Sequence, residues 1–297
     1  MKTYPFIYAL LTLIIGLFLQ GCNPKPEDIS DQRYNGPDKL YQQLETNIKN
    51  HADFDFIVDI DHSRLAKKAG SIMPPAHVII WSYPQLEADV IREQPLAALE
   101  FPFRALAYEQ AKSQQASVIT NSYQYLVNRY QLNANVDREK QYNSVVESAF
   151  SGIPAQNIET LPDEVEAFAG ITTLDSPYDF EKTKQRVMSA IKAQSDTVVF
   201  GEVNFNERAR SYGVDLPPLV LVLFGGPGPG GKAMAAAPTL GLNGFCQKLL
   251  IWQGDDGKIN VSFNDLLDMA KQQNAETTLP LRVVNRRLNK TFSDALE

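Results

Sequence analysis

The stretch that decides the fold is residues 216–242, LPPLVLVLFGGPGPGGKAMAAAPTLGL. After two prolines it runs from Leu219 to Phe224 as an unbroken apolar segment, which is typical of a strand buried on both faces. The same layout occurs earlier in the chain, in residues 73–99, MPPAHVIIWSYPQLEADVIREQPLAAL. Because Pro217 lies 143 residues after Pro74, the two stretches predict two copies of one domain.

The 143-residue offset continues beyond these stretches. It also relates Gly70 to Gly213, Pro84 to Pro227, Pro95 to Pro238, Leu99 to Leu242 and Asn121 to Asn264. Near Cys246 the offset slips by one, so that Tyr108 aligns with Trp252, as a bulge or a short insertion would cause. We predict a first repeat over 27–150, a polar, proline-containing linker over 151–167 and a second repeat over 168–297.

Both copies show the same order of strand and helix patterns. Asn204 and Gly213 bracket a short helix in the second copy, as Asp61 and Gly70 do in the first. Asn264 is expected to cap the helix that follows the hairpin. Further elements of the second copy are strands at 170–175, 197–203 and 219–224, a hairpin that joins 248–252 to 258–263 through GDDG, and helices at 178–193 and 281–296. The predicted fold class is α+β, with two homologous domains that each consist of a mixed β-sheet with helices packed on it.

The motifs of the second copy are similar to those of a known family. They are Ser176-Pro177-Tyr178, Leu216-Pro217-Pro218, FGGPGPGGKAM at 224–234, Ala237-Pro238, Gly241-Leu242 and IWQGDDGKINVSFND at 251–265. With them the second copy resembles the family called domain of unknown function 302, and the first copy resembles it more weakly. The resemblance implies a compact α+β domain that often pairs as a dimer, and it implies no established activity. Two fused copies are therefore expected to pack on each other as a pseudo-dimer.

The N-terminus predicts a lipid anchor. Lys2 precedes an apolar run from Phe6 to Leu19, which is the layout of an export signal. The run ends at Leu19-Gln20-Gly21-Cys22, which resembles the lipobox of bacterial lipoproteins. We therefore predict a signal peptide over 1–21, an acylated Cys22 that attaches the protein to a lipid bilayer, and a tether over 22–26. A plain secreted protein with an incidental cysteine and an uncleaved anchor are the alternatives.

The residue after the lipobox suggests a location. Asn23 is not the aspartate that resembles an inner-membrane retention signal. The expected location is therefore the cell envelope, at the outer membrane facing the periplasm.

Composition excludes several classes of partner. The formal net charge is -7, or -8 once Lys2 is removed with the leader, and no cluster of Lys and Arg stands out. Nucleic acid is therefore not an expected partner. With Cys22 acylated, Cys246 is the remaining cysteine, so no intramolecular disulfide is expected. Burial as a small apolar residue is favoured for Cys246 over a reactive thiol. No cofactor is predicted.

The glycine-rich segment after the buried strand is predicted to be a loop, and it is the main candidate for a ligand site. Its candidate residues are Gly225, Gly226, Gly228, Gly230, Gly231 and Lys232. The segment nearly matches the phosphate-binding pattern GxxxxGK[ST]. However, Ala233 lacks a hydroxyl for Mg²⁺, and Pro227 and Pro229 lack N–H groups. The weaker hypothesis is that the remaining amides and Lys232 bind a carboxylate or a phosphate at a helix start. In the first copy, Trp81-Ser82-Tyr83 occupies the equivalent place.

Two further groups of residues are candidates for a functional site. Asp59 and His62 are weak candidates for a metal site, since carboxylate and imidazole are common ligands, but helix capping by the neighbouring Asp61 is favoured. Trp81 and Tyr83 are candidates to line an apolar cleft between the copies, with core packing as the favoured role. Glu87, Asp89 and Glu93 are interpreted as the solvent face of a short helix.

The leading functional hypothesis is a non-catalytic envelope lipoprotein that binds a small ligand or an envelope protein, or acts as a scaffold, in the periplasm. The alternative is an enzyme whose anion-binding site is the glycine-rich segment of the second copy. A metal or haem carrier is the third hypothesis. The sequence shows no GxSxG or CxxC motif, so the usual hydrolase and redox signatures are missing.

Overall fold

A computed structural model describes residues 28–297 of the chain as two five-stranded β-sheets with helices packed on them. The predicted signal peptide, Cys22 and the tether lie outside these residues. No helix within 28–297 is long and apolar enough to cross a membrane. The α+β fold with two repeated domains is therefore as predicted.

The first repeat contains five strands in the order β1-β2-β3-β4-β5. Its strands are β1 (Asp55–Asp61), β2 (Ala76–Ser82), β3 (Phe103–Glu109), β4 (Ala116–Thr120) and β5 (Ile158–Thr160). Its helices are α1 (Asp31–Asn50), α2 (His62–Lys68), α3 (Pro84–Glu93), α4 (Tyr123–Tyr130) and α5 (Val136–Ala149). A short 3-10 helix, Pro95–Leu99, follows α3, and another, Ala155–Asn157, precedes β5. The 20-residue α1 packs on β2 and β3 with buried Tyr41, Leu44 and Ile48.

The second repeat contains five strands in the order β6-β10-β9-β8-β7. Its strands are β6 (Ile171–Ser176), β7 (Val198–Asn204), β8 (Leu219–Gly225), β9 (Gln247–Gln253) and β10 (Ile259–Asn264). Its helices are α6 (Phe180–Lys192), α7 (Phe205–Arg210), α8 (Pro227–Met234), α9 (Leu240–Asn243), α10 (Leu266–Gln272) and α11 (Leu279–Leu296). Every residue of β8 is buried, which confirms the prediction made from the apolar run.

The strands confirm the internal repeat. β1 and β7 differ by 143 residues, as do β2 and β8, whereas β3 and β9 differ by 144, so the predicted one-residue slip is present. A β-bulge occurs at the equivalent place in β1 and β7. Asp61 caps α2 by accepting from Arg64 N at 2.8 Å, and Asn204 caps α7 by accepting from Glu207 N at 3.3 Å. Gly70 and Gly213 both follow these helices with positive φ, 75° and 73°, a conformation that favours glycine.

The predicted linker contains part of the first sheet. Within 151–167, β5 pairs parallel with β4 and makes the first sheet mixed. In the second sheet the corresponding edge strand is β6, the first strand of the second repeat, which pairs antiparallel with β10. The second sheet is antiparallel throughout, so only the first is mixed.

Two local predictions were wrong. The glycine-rich segment is not a loop, because Pro227–Met234 forms α8 directly after Gly226. Proline is tolerated in the first turn of a helix because the N–H there has no partner within the helix. The cap of α10 is Asp265, whose carboxylate accepts from Leu267 N and Asp268 N. Asn264, the predicted cap, instead accepts a hydrogen bond from Arg129 at 2.8 Å.

The two repeats contact each other through equivalent elements. α2 packs on α8, and α3 packs on α7. The 3-10 helix Pro95–Leu99 lies on β8 and β9 of the second sheet, while α9 lies on β2 and β3 of the first. Each contact has its counterpart under the repeat offset, as expected of an isologous interface. The pseudo-dimer, in the sense of a fused copy of a family homodimer, stays a prediction.

Candidate functional site

A group of polar side chains lies buried where the two repeats meet, and we call it the interface cluster. Its members are Glu100, Arg104, Asn121, Arg129, Asn243, Lys248 and Asn264, all with at most 5% exposure. Glu100 follows the 3-10 helix that packs on the second sheet, and Lys248 lies on β9. Charged residues are rarely fully buried unless they are paired, so this cluster is the most unusual feature of the interior.

Glu100 is the centre of the cluster. It forms an ion pair with Arg129 Nη1 and accepts a hydrogen bond from Asn121 Nδ2 at 2.7 Å. Lys248 Nζ lies 3.9 Å from its second carboxylate oxygen, which is too far for a hydrogen bond. Arg129 in turn donates to Asn264 Oδ1 of the second repeat at 2.8 Å. The cluster therefore joins both repeats through charged and amide groups.

Members of the cluster occupy equivalent positions in the two repeats. Asn121 corresponds to Asn264 and Glu100 to Asn243 at the 143-residue offset, and Arg104 corresponds to Lys248 after the slip. The amides of Asn121 and Asn243 are hydrogen-bonded at 3.1 Å. The cluster thus combines equivalent positions of the two repeats, with a carboxylate contributed by the first and an amide by the second.

The pKa shifts follow from this burial. Burial would raise the pKa of Glu100, but Lys248, Arg129 and Arg104 outweigh it and hold this pKa below its usual value. Burial, and then repulsion from Arg104, lowers the pKa of Lys248 well below its usual value. Burial raises the pKa of the Cys246 thiol to about 12. Cys246 is therefore a buried, neutral thiol and not a reactive one.

A surface groove of about 580 Å³ lies beside α8. Its lining residues are Ala69 and Ser71 of the first repeat, Asp196, Pro227, Gly228, Pro229 and Lys232, and Leu279, Pro280, Val283 and Val284 of α11. Leu279 is 73% exposed and Val283 is 58% exposed, so the wall formed by α11 is apolar and open to solvent. We call this feature the α8–α11 groove.

The glycine-rich candidates are mostly helix-packing residues. Gly225 ends β8 and Gly226 is the N-cap of α8. A Cβ built on Gly231 would lie 2.4 Å from Ala66 Cβ of α2, and a Cβ on Gly230 would lie 3.2 Å from the Phe245 ring. Gly228 and Lys232 alone among the candidates line the α8–α11 groove. The glycines of α8 therefore let two helices approach closely, and Lys232 is the candidate that presents charge to a ligand.

The two weak metal candidates, Asp59 and His62, contact different partners. Asp59 Oδ2 lies 2.7 Å from Nε2 of His77, and the His77 ring stacks on Tyr41. His62 is buried and its Nε2 lies 3.1 Å from the carbonyl oxygen of Gly241 in the second repeat. Burial lowers the pKa of His62 to about 4, so the ring is neutral and donates this bond. Within 28–297 no three His, Cys, Asp or Glu side chains are grouped as metal ligands.

Trp81 and Tyr83 belong to the core of the first repeat. Trp81 has no exposed surface and stacks on Phe103 with ring centroids 5.7 Å apart. Tyr83 packs edge-on against Phe54 at 6.3 Å. The structure therefore places neither side chain in a cleft between the repeats, because β2 directs Trp81 into the first domain.

Glu87 is not on a solvent face, contrary to the interpretation of α3. It is 1% exposed and accepts hydrogen bonds from Ser82 Oγ at 2.6 Å and Tyr83 N at 3.2 Å. Burial raises the pKa of Glu87 to about 7. Asp89 and Glu93 are more exposed and form ion pairs with Arg138.

We expect the substitution Glu87→Gln to flatten the pH dependence of stability. A carboxyl group with a raised pKa in the folded state binds protons more tightly there, so the wild type loses stability as the pH rises from about 4.5 to above 7. The loss corresponds to about 3 kcal/mol. Glutamine does not titrate; its carbonyl oxygen still accepts from Tyr83 N, and its amide group can donate to Ser82 Oγ, so that one hydrogen bond reverses direction. Urea unfolding at pH 5 and pH 8 measures the difference, and an unchanged pH dependence in the variant would contradict the assignment.

The fold and the buried interface define a class of protein, a two-domain α+β chain whose homologous halves meet through charged side chains. The chain belongs to the family Domain of unknown function DUF302, whose model matches residues 31–149 and 172–295. The family expected from the motifs of the second repeat is therefore confirmed, and it covers both repeats.

Curated relatives share only a segment with this chain. The Fluoride-specific ion channel FluC 1 of Brucella suis biovar 1 (strain 1330) is 31% identical over 97 residues, which are 33% of this chain and 37% of the relative. The protein of the same name from Brucella abortus biovar 1 (strain 9-941) is also 31% identical over 97 residues, 33% of this chain and 35% of the relative. The chain thus spans about a third of the length of these relatives.

A solved structure of the family is also similar. The crystal structure of an uncharacterized conserved DUF302 protein from Bacillus stearothermophilus is 16% identical, and the match covers 43% of this chain and 95% of the other. The TM-score is 0.36.

Sequence reasoning missed the charged members of the interface cluster. Of the cluster members, the repeat offset relates only Asn121 and Asn264 in the sequence analysis. A second signal was available, because Lys248 interrupts the apolar run from Phe245 to Trp252 at a position that aligns with Arg104. A cation at equivalent positions of two buried strands indicates a shared polar site.

Proposed function

We propose that this chain is a non-catalytic lipoprotein of the bacterial cell envelope. It is attached through an acylated Cys22, at the outer membrane facing the periplasm, and it binds a small amphiphilic anion in the α8–α11 groove. The observation that carries the binding proposal is the groove itself, which combines an exposed apolar wall with Lys232, a cation that is unpaired within residues 28–297.

The size and lining of the groove suit a small molecule. Its volume of about 580 Å³ lies within the range of ligand pockets, roughly 300–1,000 Å³. Exposed Leu279 and Val283 form one wall, and Pro227 and Pro229 face them. An apolar ligand body would remove this surface from water, which contributes roughly 25 cal/mol for each Å² buried.

The charges of the groove favour an anionic end on the ligand. Asp196 is already paired with Arg287, with a 2.7 Å hydrogen bond from Arg287 Nη1. Lys232 is exposed and forms no ion pair with any residue of 28–297. A carboxylate or sulfonate close to Lys232 would form a charge-assisted contact, so the expected ligand has an apolar body and one negative charge.

The groove offers little support for the alternative of an enzyme. Catalysis by Lys232 would need a nearby group to exchange protons with it. Asp196 is the acidic residue that lines the groove, and its pKa is lowered by the hydrogen bond from Arg287. An ionised, engaged carboxylate is a poor general acid, so binding is the better interpretation of this site.

The fluoride-channel relatives bear only on the class of ligand. The similarity covers little more than a third of those proteins, which favours a shared domain and not a shared channel activity. Their names make a small anion a reasonable ligand class for a domain of this family, and channel activity is not proposed for this chain.

The binding proposal is tested with 1-anilinonaphthalene-8-sulfonate, a probe with an apolar body and one negative charge. We expect saturable fluorescence enhancement with the folded protein and at least about tenfold weaker binding by Lys232→Gln, since a tenfold change corresponds to about 1.4 kcal/mol. Val283→Asp should weaken binding similarly, because it places a negative charge in the apolar wall.

Lys140→Gln is the matched control for this experiment. Lys140 is an exposed cation of α5 in the first repeat, so its loss changes the net charge by the same amount without altering the groove. Equal affinity in Lys232→Gln and Lys140→Gln would contradict the proposed site. The anchor is tested separately by the intact mass of protein from native membranes, where a retained leader or an unmodified Cys22 would contradict lipid attachment.

A further inference from the structure

Three buried donors of the interface cluster have no hydrogen-bond partner among residues 28–297. They are Lys248 Nζ, Arg104 Nε and Asn264 Nδ2. Buried polar groups are nearly always paired, since an unpaired one costs about 1–3 kcal/mol. All three unpartnered groups are nitrogen donors and none is an acceptor, so the cluster lacks an acceptor and not a donor.

The charges of the cluster also indicate that an acceptor is missing. Within residues 28–297, three basic side chains, those of Arg104, Arg129 and Lys248, surround a single carboxylate, that of Glu100. Arg129 uses Nη1 on Glu100 and Nη2 on Asn264 and the Ala169 carbonyl. Glu100 therefore neutralises one of these groups, whereas Arg104 forms no ion pair with any residue of 28–297. Buried charges without a counter-charge are strongly disfavoured.

The packing limits the size of an additional acceptor. None of Lys248, Arg104 and Asn264 lines the α8–α11 groove or the cavity beside Cys246, and all three side chains are at most 5% exposed. Cys246 itself supplies no charge, because burial raises the pKa of its thiol to about 12. An acceptor between these closely packed donors must therefore be about as small as a water molecule, which excludes a phosphate or an organic carboxylate.

We propose that the interface cluster binds one small inorganic anion of halide size, which accepts hydrogen bonds from Lys248 and Arg104 where the two repeats meet. The anion supplies the missing acceptor and reduces the uncompensated positive charge. This site is separate from the α8–α11 groove and does not depend on ligand binding there. Because its donors come from both repeats, the bound anion stabilises their association.

The test is the thermal unfolding of wild-type protein in sodium fluoride, chloride or bromide, compared with sodium gluconate at equal ionic strength. A ligand that binds only the folded state raises Tm in a saturable manner, so we expect at least one halide to do so. In Lys248→Met the half-saturating concentration should increase at least tenfold. Lys232→Met, which removes an exposed cation outside the cluster, should respond like the wild type.

Crystals of the wild-type protein soaked in bromide provide a second measurement that does not depend on the folding of a variant. The expected result is an anomalous peak within hydrogen-bond distance of Lys248 Nζ. Three outcomes would overturn the proposal: equal Tm in halide and gluconate, an unchanged halide response in Lys248→Met, or density at the cluster that contains water only. If the anilinonaphthalene probe does not bind in the groove while the halide response is as expected, only the proposed function is contradicted.

Discussion

Glu100→Gln is expected to destabilise the protein by about 3–5 kcal/mol, the range found when one partner of a buried ion pair is removed. The substitution keeps the shape of the side chain but leaves Arg129 and Lys248 without a counter-charge in a fully buried setting. Glu100 also lies at the junction of the repeats, so part of the loss should appear as weakened association of the two halves. Equilibrium unfolding in urea measures the change.

Glu202→Gln is the control for this prediction. Glu202 forms an ion pair with Lys184 at 2.6 Å, but both side chains are about one-third exposed. Surface ion pairs of this kind contribute about 0–1 kcal/mol, so this variant should unfold close to the wild type. If Glu100→Gln lost no more stability than Glu202→Gln, the buried pair would not be holding the interface together. The double variant Glu100→Gln with Lys248→Met should recover part of the loss, because it removes one uncompensated cation.

Gly231→Ala should also destabilise the fold, by about 1–3 kcal/mol, the usual effect of overpacking. A Cβ at Gly231 would lie 2.4 Å from Ala66 Cβ and 3.2 Å from Ser71 Cβ. Neither neighbour is the flexible end of a long side chain, so α8 and α2 must separate. Alanine favours a helix over glycine by about 1 kcal/mol, so a measured loss understates the steric effect.

The matched control is Gly228→Ala, three residues earlier in the same helix. Its Cβ would meet the Ala69 carbonyl oxygen at 3.4 Å and Ala69 Cβ at 3.5 Å, which is ordinary van der Waals contact. The gain in helix propensity should therefore leave this variant as stable as the wild type or slightly more stable. Thermal unfolding of both variants gives the comparison, and equal Tm values would show that α8 and α2 do not pack as closely as described.

The fold could be predicted from the sequence because the pattern of most strands and helices occurs twice, once in each repeat. The caps Asp61 and Asn204 and the buried β8 followed from local patterns. The helix α8 did not, since a segment with three glycines and two prolines has a very low intrinsic helix propensity. Packing against α2 stabilises that helix, and tertiary packing is not visible in a local pattern. The edge strand β5 was missed for the same reason, because its three residues are defined by pairing with β4.

The candidate site was only partly predictable. Lys232 lines the α8–α11 groove, but the apolar wall contributed by α11 lies about 50 residues further along the chain and has no sequence signature. The interface cluster was missed because charged residues are expected at the surface, and Glu87 was placed there wrongly on the same ground. Only a three-dimensional structure shows that Glu100 and Lys248 meet across the two repeats.

Covalent fusion allows the residues at the junction of the two repeats to differ from one repeat to the other. In a homodimer every residue is present twice, so a glutamate next to the twofold axis would face a second glutamate, and like charges at that distance repel. Here Glu100 lies against Asn243, its counterpart at the 143-residue offset, so one half of the protein contributes a negative charge to the junction and the other half contributes an amide. Two identical subunits related by symmetry cannot carry different residues at the same position.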